Sequence, residues 1–223
     1  MRKIIATLVF ITFCTITMAQ KTPLAYYDSL DNGKTYTSLQ EALKEPQNVY
    51  RLKLTKLDNR DSLPEELFSL TELRELTVKG CKLCVLNQNI NKLAKLESLN
   101  LDKNKLVRLP ETIGNLQKLK FLCVSRNLME TFPESISKMT ELTYIDAWDN
   151  PLYILPESIK SLQKTLKTLD LRQIPLTKSE FKAMQELLPF TEILFTDICE
   201  CENLRDHNES ELLITFSSKA LGL

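Results

Sequence analysis

The chain has 223 residues, 43% of them apolar, which suits one or two packed domains. Only 4 glycines argue against a glycine-rich phosphate-binding fold. Lys and Arg (29) balance Asp and Glu (29), so no global field recruits nucleic acid or an anionic membrane, and any specificity must come from a local surface.

At the N-terminus Arg2 and Lys3 precede an apolar run from Ile4 to Ile16, and Thr17 and Ala19 put small residues at −3 and −1 before Gln20. This pattern predicts a secretory leader over residues 1–19. The run is shorter than the ~20 apolar residues of a membrane helix, so no span is expected after cleavage. Cys14 follows the bulky Phe13 and fits a lipoprotein site poorly. Cleavage would remove two positive charges and no acid, leaving 27 basic and 29 acidic residues, a net charge of about −2. Residues 20–48 are read as an N-terminal segment with a cap helix. Ser38 and Glu41 form its capping box, Leu39, Ala42 and Leu43 share one face, and Pro46 ends it.

From residue 49 to 176 the chain repeats itself six times. Leu96, Leu99, Leu101, Asn104, Leu106, Leu109-Pro110 and Ile113 recur 23 residues later as Leu119, Leu122, Val124, Asn127, Met129, Phe132-Pro133 and Ile136. A further 23 residues bring Leu142, Ile145, Ala147, Asn150, Leu152, Leu155-Pro156 and Ile159. The frame runs back through Leu73, Leu76, Val78, Cys81 and Leu83, opens at Val49, Leu52 and Leu54, and closes at Leu166, Leu169, Leu171, Ile174 and Leu176. This spacing resembles the LxxLxLxxNxL pattern of the leucine-rich repeat family, with an LPxxI second half. The resemblance implies an α/β fold, a right-handed solenoid. Short parallel strands line its concave face, irregular or 3-10 turns line its convex side, and helices cap both ends.

The spacing has a physical reading beside the resemblance. Alternating LxL makes a short strand with two inward side chains. The ninth-place Asn turns the chain and satisfies backbone groups of the neighbouring coil. The LP step sets an extended return. One coil cannot bury its own face, so coils must stack. Thr177 and Glu180 form a second capping box, for a helix carrying Phe181, Met184, Leu187 and Leu188. Phe190, Ile193 and Phe195 repeat the strand spacing, so 177–198 are expected to be the C-terminal cap and last strand. Residues 199–223 form a tail in which Leu212 to Phe216 offer a further cover.

Catalytic and metal chemistry find little support. The single histidine, His207, lies in the polar tail, where the repeat brings it to no nucleophile. Cys81 and Cys84 have CxxC spacing, and Cys199 and Cys201 form a CxC pair. Five strand steps of about 4.8 Å put the two pairs on the order of 24 Å apart, too far to share a metal. Cys81 reads as a stand-in for Asn. With Cys123, five cysteines follow the leader, an odd number that leaves at least one unpaired in a monomer. No cofactor is implied.

The register also says what faces out of the sheet: the third, fifth, seventh and eighth places of each coil. Arg51, Lys53, Lys56, Lys79, Lys103 and Arg126 make the first four coils basic against Glu75 and Asp102. Asp146, Asp149, Asp170, Glu192 and Asp197 make the later strands acidic against Arg172. Phe121, Tyr144 and Trp148, the only Trp, project at the junction and are the expected anchors of an interface. Asp146 and Asp170 should lie side by side, offset by Arg126 and Arg172, or else hold calcium or a partner's basic group. An open sheet suits a paired-carboxylate glycosidase poorly. The expected function is non-enzymatic binding of a protein or peptide on the concave face, with a glycan as the alternative ligand. The leader is similar to those of Gram-negative Bacteroidetes, which implies export to the periplasm, cell surface or medium.

Overall fold

The computed structural model describes residues 34–57 and 61–196, with the backbone of 198–199. The leader, the tail with His207 and Cys201, Asp197 and the side chain of Cys199 lie outside the described residues.

Eight strands form one parallel sheet in the order β1 (Thr35–Tyr36), β2 (Arg51–Leu54), β3 (Glu75–Val78), β4 (Ser98–Asn100), β5 (Phe121–Cys123), β6 (Tyr144–Asp146), β7 (Thr168–Asp170) and β9 (Glu192–Leu194). The register aligns the repeat. Leu52, Leu76, Leu99, Leu122, Ile145, Leu169 and Ile193 pair in succession. All but half-buried Ile193 are at most 2% exposed. This apolar column and the facing residues of the return segments form one continuous core along the solenoid.

The far side is built of single 3-10 turns at Glu65–Ser69, Gln88–Lys92, Glu111–Asn115, Glu134–Lys138 and Glu157–Leu162. Pro64, Asn87, Pro110, Pro133 and Pro156 precede them, each extended with φ between −64° and −71° and ψ between 142° and 153°. Proline presets that φ and lacks the N–H that such a position would leave unused. Asn87 reaches the same conformation by accepting a 2.8 Å hydrogen bond from the Asn89 amide. Each short return buries an anchor (Leu67, Ile90, Ile113, Ile136, Ile159), and its length suits the tighter 3-10 turn.

The asparagines bind each coil to the one before. The Asn127 side chain donates to the carbonyls of Leu101 (3.0 Å), Val124 (2.8 Å) and Ser125 (3.0 Å), and accepts from the Leu106 amide (3.0 Å). Asn104 accepts from both Cys81 (3.0 Å) and Leu83 (3.2 Å), and Asn150 accepts from Met129 (3.0 Å). Cys81 is buried in the same column, and its thiol lies 3.6 Å from the Leu54 and Lys79 carbonyls.

At the ends stand α1 (Leu39–Ala42), with Leu39 and Ala42 buried, and α2 (Lys178–Leu187). Thr177 and Glu180 close a reciprocal capping box on α2, while Met184 and Leu188 join the core. The Phe181 and Phe195 rings lie 4.3 Å apart and tie α2 to the chain beyond β9. Two features have no counterpart in the sequence reading. Strand β1 extends the sheet before the first repeat, and β8 (Leu176–Thr177) pairs with β10 (Ile198–Cys199). Each is two residues long, too short for an alternation to show.

Candidate partner-binding face

The candidate residues lie on β5 to β7 and the loops that follow them, except Lys103, which is in the loop after β4. Phe121 is paired with Tyr144, and Cys123, Asp146 and Asp170 lie in one row across three strands. Phe121, Tyr144, Asp146, Trp148, Arg126 and Arg172 are half-buried, while Lys103 and Asp149 are exposed. The Arg126 guanidinium stands 5.0 Å over the Trp148 ring, so one face of the indole is already covered.

Asp102 proves to be the hub of the basic half. It is 3% exposed and receives Arg126 through a two-pronged contact, with Nε at 2.8 Å from Oδ1 and Nη2 on Oδ2. Lys79 adds a 2.9 Å ion pair, and the Ser125 hydroxyl donates at 3.1 Å. Burial alone would raise the Asp102 carboxyl, but the bonds from Arg126 and Lys79 outweigh it and hold it below the usual carboxylate value. In the sequence Asp102 stands only as one of two acids against the basic residues of the first four coils. The signal was there, since the register puts Lys79 and Arg126 on the coils either side of it.

Three expectations need correction. Arg126 offsets Asp102, not Asp146, because its side chain reaches back one coil. Asp170 is 1% exposed and so offers nothing to a partner. Arg172 folds onto it, with Nε 2.9 Å from Oδ1 and Nη2 2.6 Å from Oδ2. The charge split is also weaker than the raw tally. Arg51 pairs with Glu75 at 3.4 Å, and Lys79 and Arg126 are committed to Asp102.

Asp146 is placed differently from the other two aspartates. Its oxygens accept from the Cys123 thiol (3.3 Å) and the Trp148 amide (3.4 Å). The Ser125 hydroxyl, whose one proton points to the nearer Asp102, lies 3.4 Å away, and Asp146 has no ion pair among the described residues. Burial first, and then the nearby Asp170 charge, push its pKa up. The same burial, with the Asp146 charge, pushes the Cys123 thiol up to about 12, so it is a poor nucleophile at neutral pH. Burial raises the Tyr144 hydroxyl as well. Cys81, Cys84 and Cys123 are free thiols, and the described residues hold no cluster of metal-binding side chains.

The eighth-place residues carry a backbone duty too. Gly80, Lys103, Arg126, Asp149 and Gln173 all have φ between 52° and 67°. That left-handed turn brings the chain off the strand so that the next residue can tuck inward.

An open parallel sheet backed by 3-10 returns, with asparagines bridging the coils, defines a leucine-rich repeat solenoid. The chain belongs to the leucine-rich repeat family: residues 37–151, just over half of it, match the model of a leucine-rich repeat region. No curated protein matches it. Among solved structures it is similar to a leucine-rich repeat protein of Leptospira interrogans, at 23% identity and TM-score 0.52, covering 74% of this chain and 53% of that one. An internalin of Listeria monocytogenes is similar at 18% identity and TM-score 0.55, covering 79% and 57%. The plant peptide hormone receptor RGFR1 in complex with RGF2 is similar at 20% identity and TM-score 0.54, covering 76% and 31%. The chain thus spans little more than half of the first two relatives. At these identities the likeness is one of fold. No helix among the described residues is long and apolar enough to cross a membrane.

Proposed function

We propose that this is a non-enzymatic, exported interaction module that holds a protein or peptide partner on its concave sheet. The observation that carries the reading is the half-buried pair of Phe121 and Tyr144 on β5 and β6, with Trp148 four residues beyond Tyr144 and held under Arg126. Large rings held in place bury area on binding at little entropic cost, which suits them as anchors. Arg126, Lys103 and Asp149 surround this patch and supply a polar rim. Export rests on the basic and apolar N-terminal pattern, and a solenoid of residues 49–176 between two end segments is the matching domain plan. The similar plant receptor, solved with RGF2, supports a peptide by analogy of fold.

The test is Trp148→Ala in a pull-down from periplasm and culture medium. Loss of the captured partner, at a cost of about 2 kcal/mol or more in affinity and with an unchanged melting temperature, is the expected outcome. Unchanged capture refutes the concave anchor. A glycan is the second reading, since Asp149 and Asn100 flank the same rings. Glycan-array binding that vanishes in Trp148→Ala would favour it.

A further inference from the structure

We infer that the partner presents an arginine side chain to Asp146. The inference rests on the concave-face reading above and names the chemistry of its central contact. Three aspartates with buried or half-buried side chains lie along the middle of this face: Asp102, Asp146 and Asp170. Two of them are clasped by an arginine in the same way, with Nε and Nη2 forked onto the two carboxylate oxygens: Arg126 on Asp102 and Arg172 on Asp170. Asp146 sits between them, opposite Asp170 in the register; it feels the charges of Arg126 and Arg172 but forms an ion pair with neither, because both guanidiniums fork onto the other two aspartates. Its neighbours are the neutral groups of Cys123, Ser125 and the Trp148 backbone.

The geometry favours arginine over lysine. Tyr144 and Trp148 lie two residues before and after Asp146, on the same face, and a planar guanidinium can stack on such rings while it forks onto the carboxylate. This face already uses that combination, since Arg126 forks onto Asp102 with its guanidinium over Trp148. A carboxylate half-withdrawn from water and facing a second carboxylate gains more from an incoming cation than a solvated one does. The row of Arg172, Asp170, Asp146 and Arg126 would then read as alternating charge completed by the partner.

A displayed library of random heptapeptides, panned on the full chain, tests this. Enriched peptides are expected to share one arginine. Its replacement by citrulline, which is uncharged and nearly isosteric, should weaken binding about ten-fold on the wild-type chain and have little effect on Asp146→Asn. If Asp146→Asn does not fold, the wild-type citrulline comparison is joined by a pH series in which affinity rises with pH through the Asp146 titration. Peptides that lose binding with Trp148→Ala but need no arginine overturn the inference and leave the concave reading standing. So does an arginine whose loss costs as much on Asp146→Asn as on wild type. Heat on calcium titration that disappears in Asp146→Asn overturns it in favour of a metal. No retained peptide, or binding indifferent to both Trp148→Ala and Asp146→Asn, overturns both readings.

Discussion

Replacing a ladder asparagine by alanine should cost different amounts at Asn104 and Asn127, and the hydrogen bonds say why. The three carbonyls that Asn127 serves keep a second donor when it is removed. Leu101 retains the Asn104 side chain (2.8 Å), Val124 retains that of Asn150 (3.0 Å), and Ser125 retains the Lys103 amide (3.0 Å). Only the Leu106 amide loses its partner. One orphaned buried N–H at ~1–3 kcal/mol, plus three redundant bonds at ~0.5 kcal/mol each, gives about 3 kcal/mol for Asn127→Ala. Asn104→Ala orphans two amides, those of Cys81 and Leu83, and should cost about 5 kcal/mol. Urea denaturation followed by circular dichroism measures both, and hydrogen exchange at Leu106 and Leu83 reports the freed amides. Equal losses at the two sites, or losses below about 1 kcal/mol, would refute the accounting by orphaned donors.

Two aspartates should respond to acid in opposite directions. Asp102 is held below the ordinary aspartate value of 3.8, so its contribution is complete above that pH and is lost as pH falls through its folded value. Asp146 is raised above 3.8, so it favours folding most below that pH, and the advantage is gone once pH has risen through its folded value. Urea titrations should therefore show Asp102→Asn less stable and Asp146→Asn more stable than wild type near pH ~7, with both differences shrinking near pH ~3. On the convex side, a Cβ on Gly114 would lie 2.3 Å from the Ser135 carbonyl oxygen. Gly114→Ala should cost about 2 kcal/mol or more by thermal melting, because backbone must move. Ser135→Ala is the contrasting control. It removes a buried hydroxyl without a partner among the described residues and should be neutral or stabilising by up to ~1 kcal/mol.

The scaffold was legible because stacking forces a buried position to recur at a fixed spacing. Leu99, Leu122 and Ile145 can be matched before any contact is known, and the placement of Cys81 in the asparagine column follows from the same frame. The face of the sheet was legible only as a set of positions. Which cation meets which acid depends on side-chain reach: Arg126 can address either neighbouring coil, and its choice of Asp102 over Asp146 is a matter of rotamer and burial. Strand β1 was hidden for another reason. Thr35 and Tyr36 earn their place by pairing with Arg51 and Leu52, a contact between a segment outside the repeat and its first coil.

The column that holds the coils together is not uniform. From Asn104 to Asn150 each side chain both donates to and accepts from the coil behind it, so neighbouring turns share acceptors. At Cys81 the side chain offers only a weak sulfur donor to Leu54. The solenoid is thereby given a seam near its N-terminal end. The first coil is thus held by fewer side-chain bonds than the turns bearing Phe121, Tyr144 and Trp148, which puts a weaker joint of the spring three coils from the candidate face.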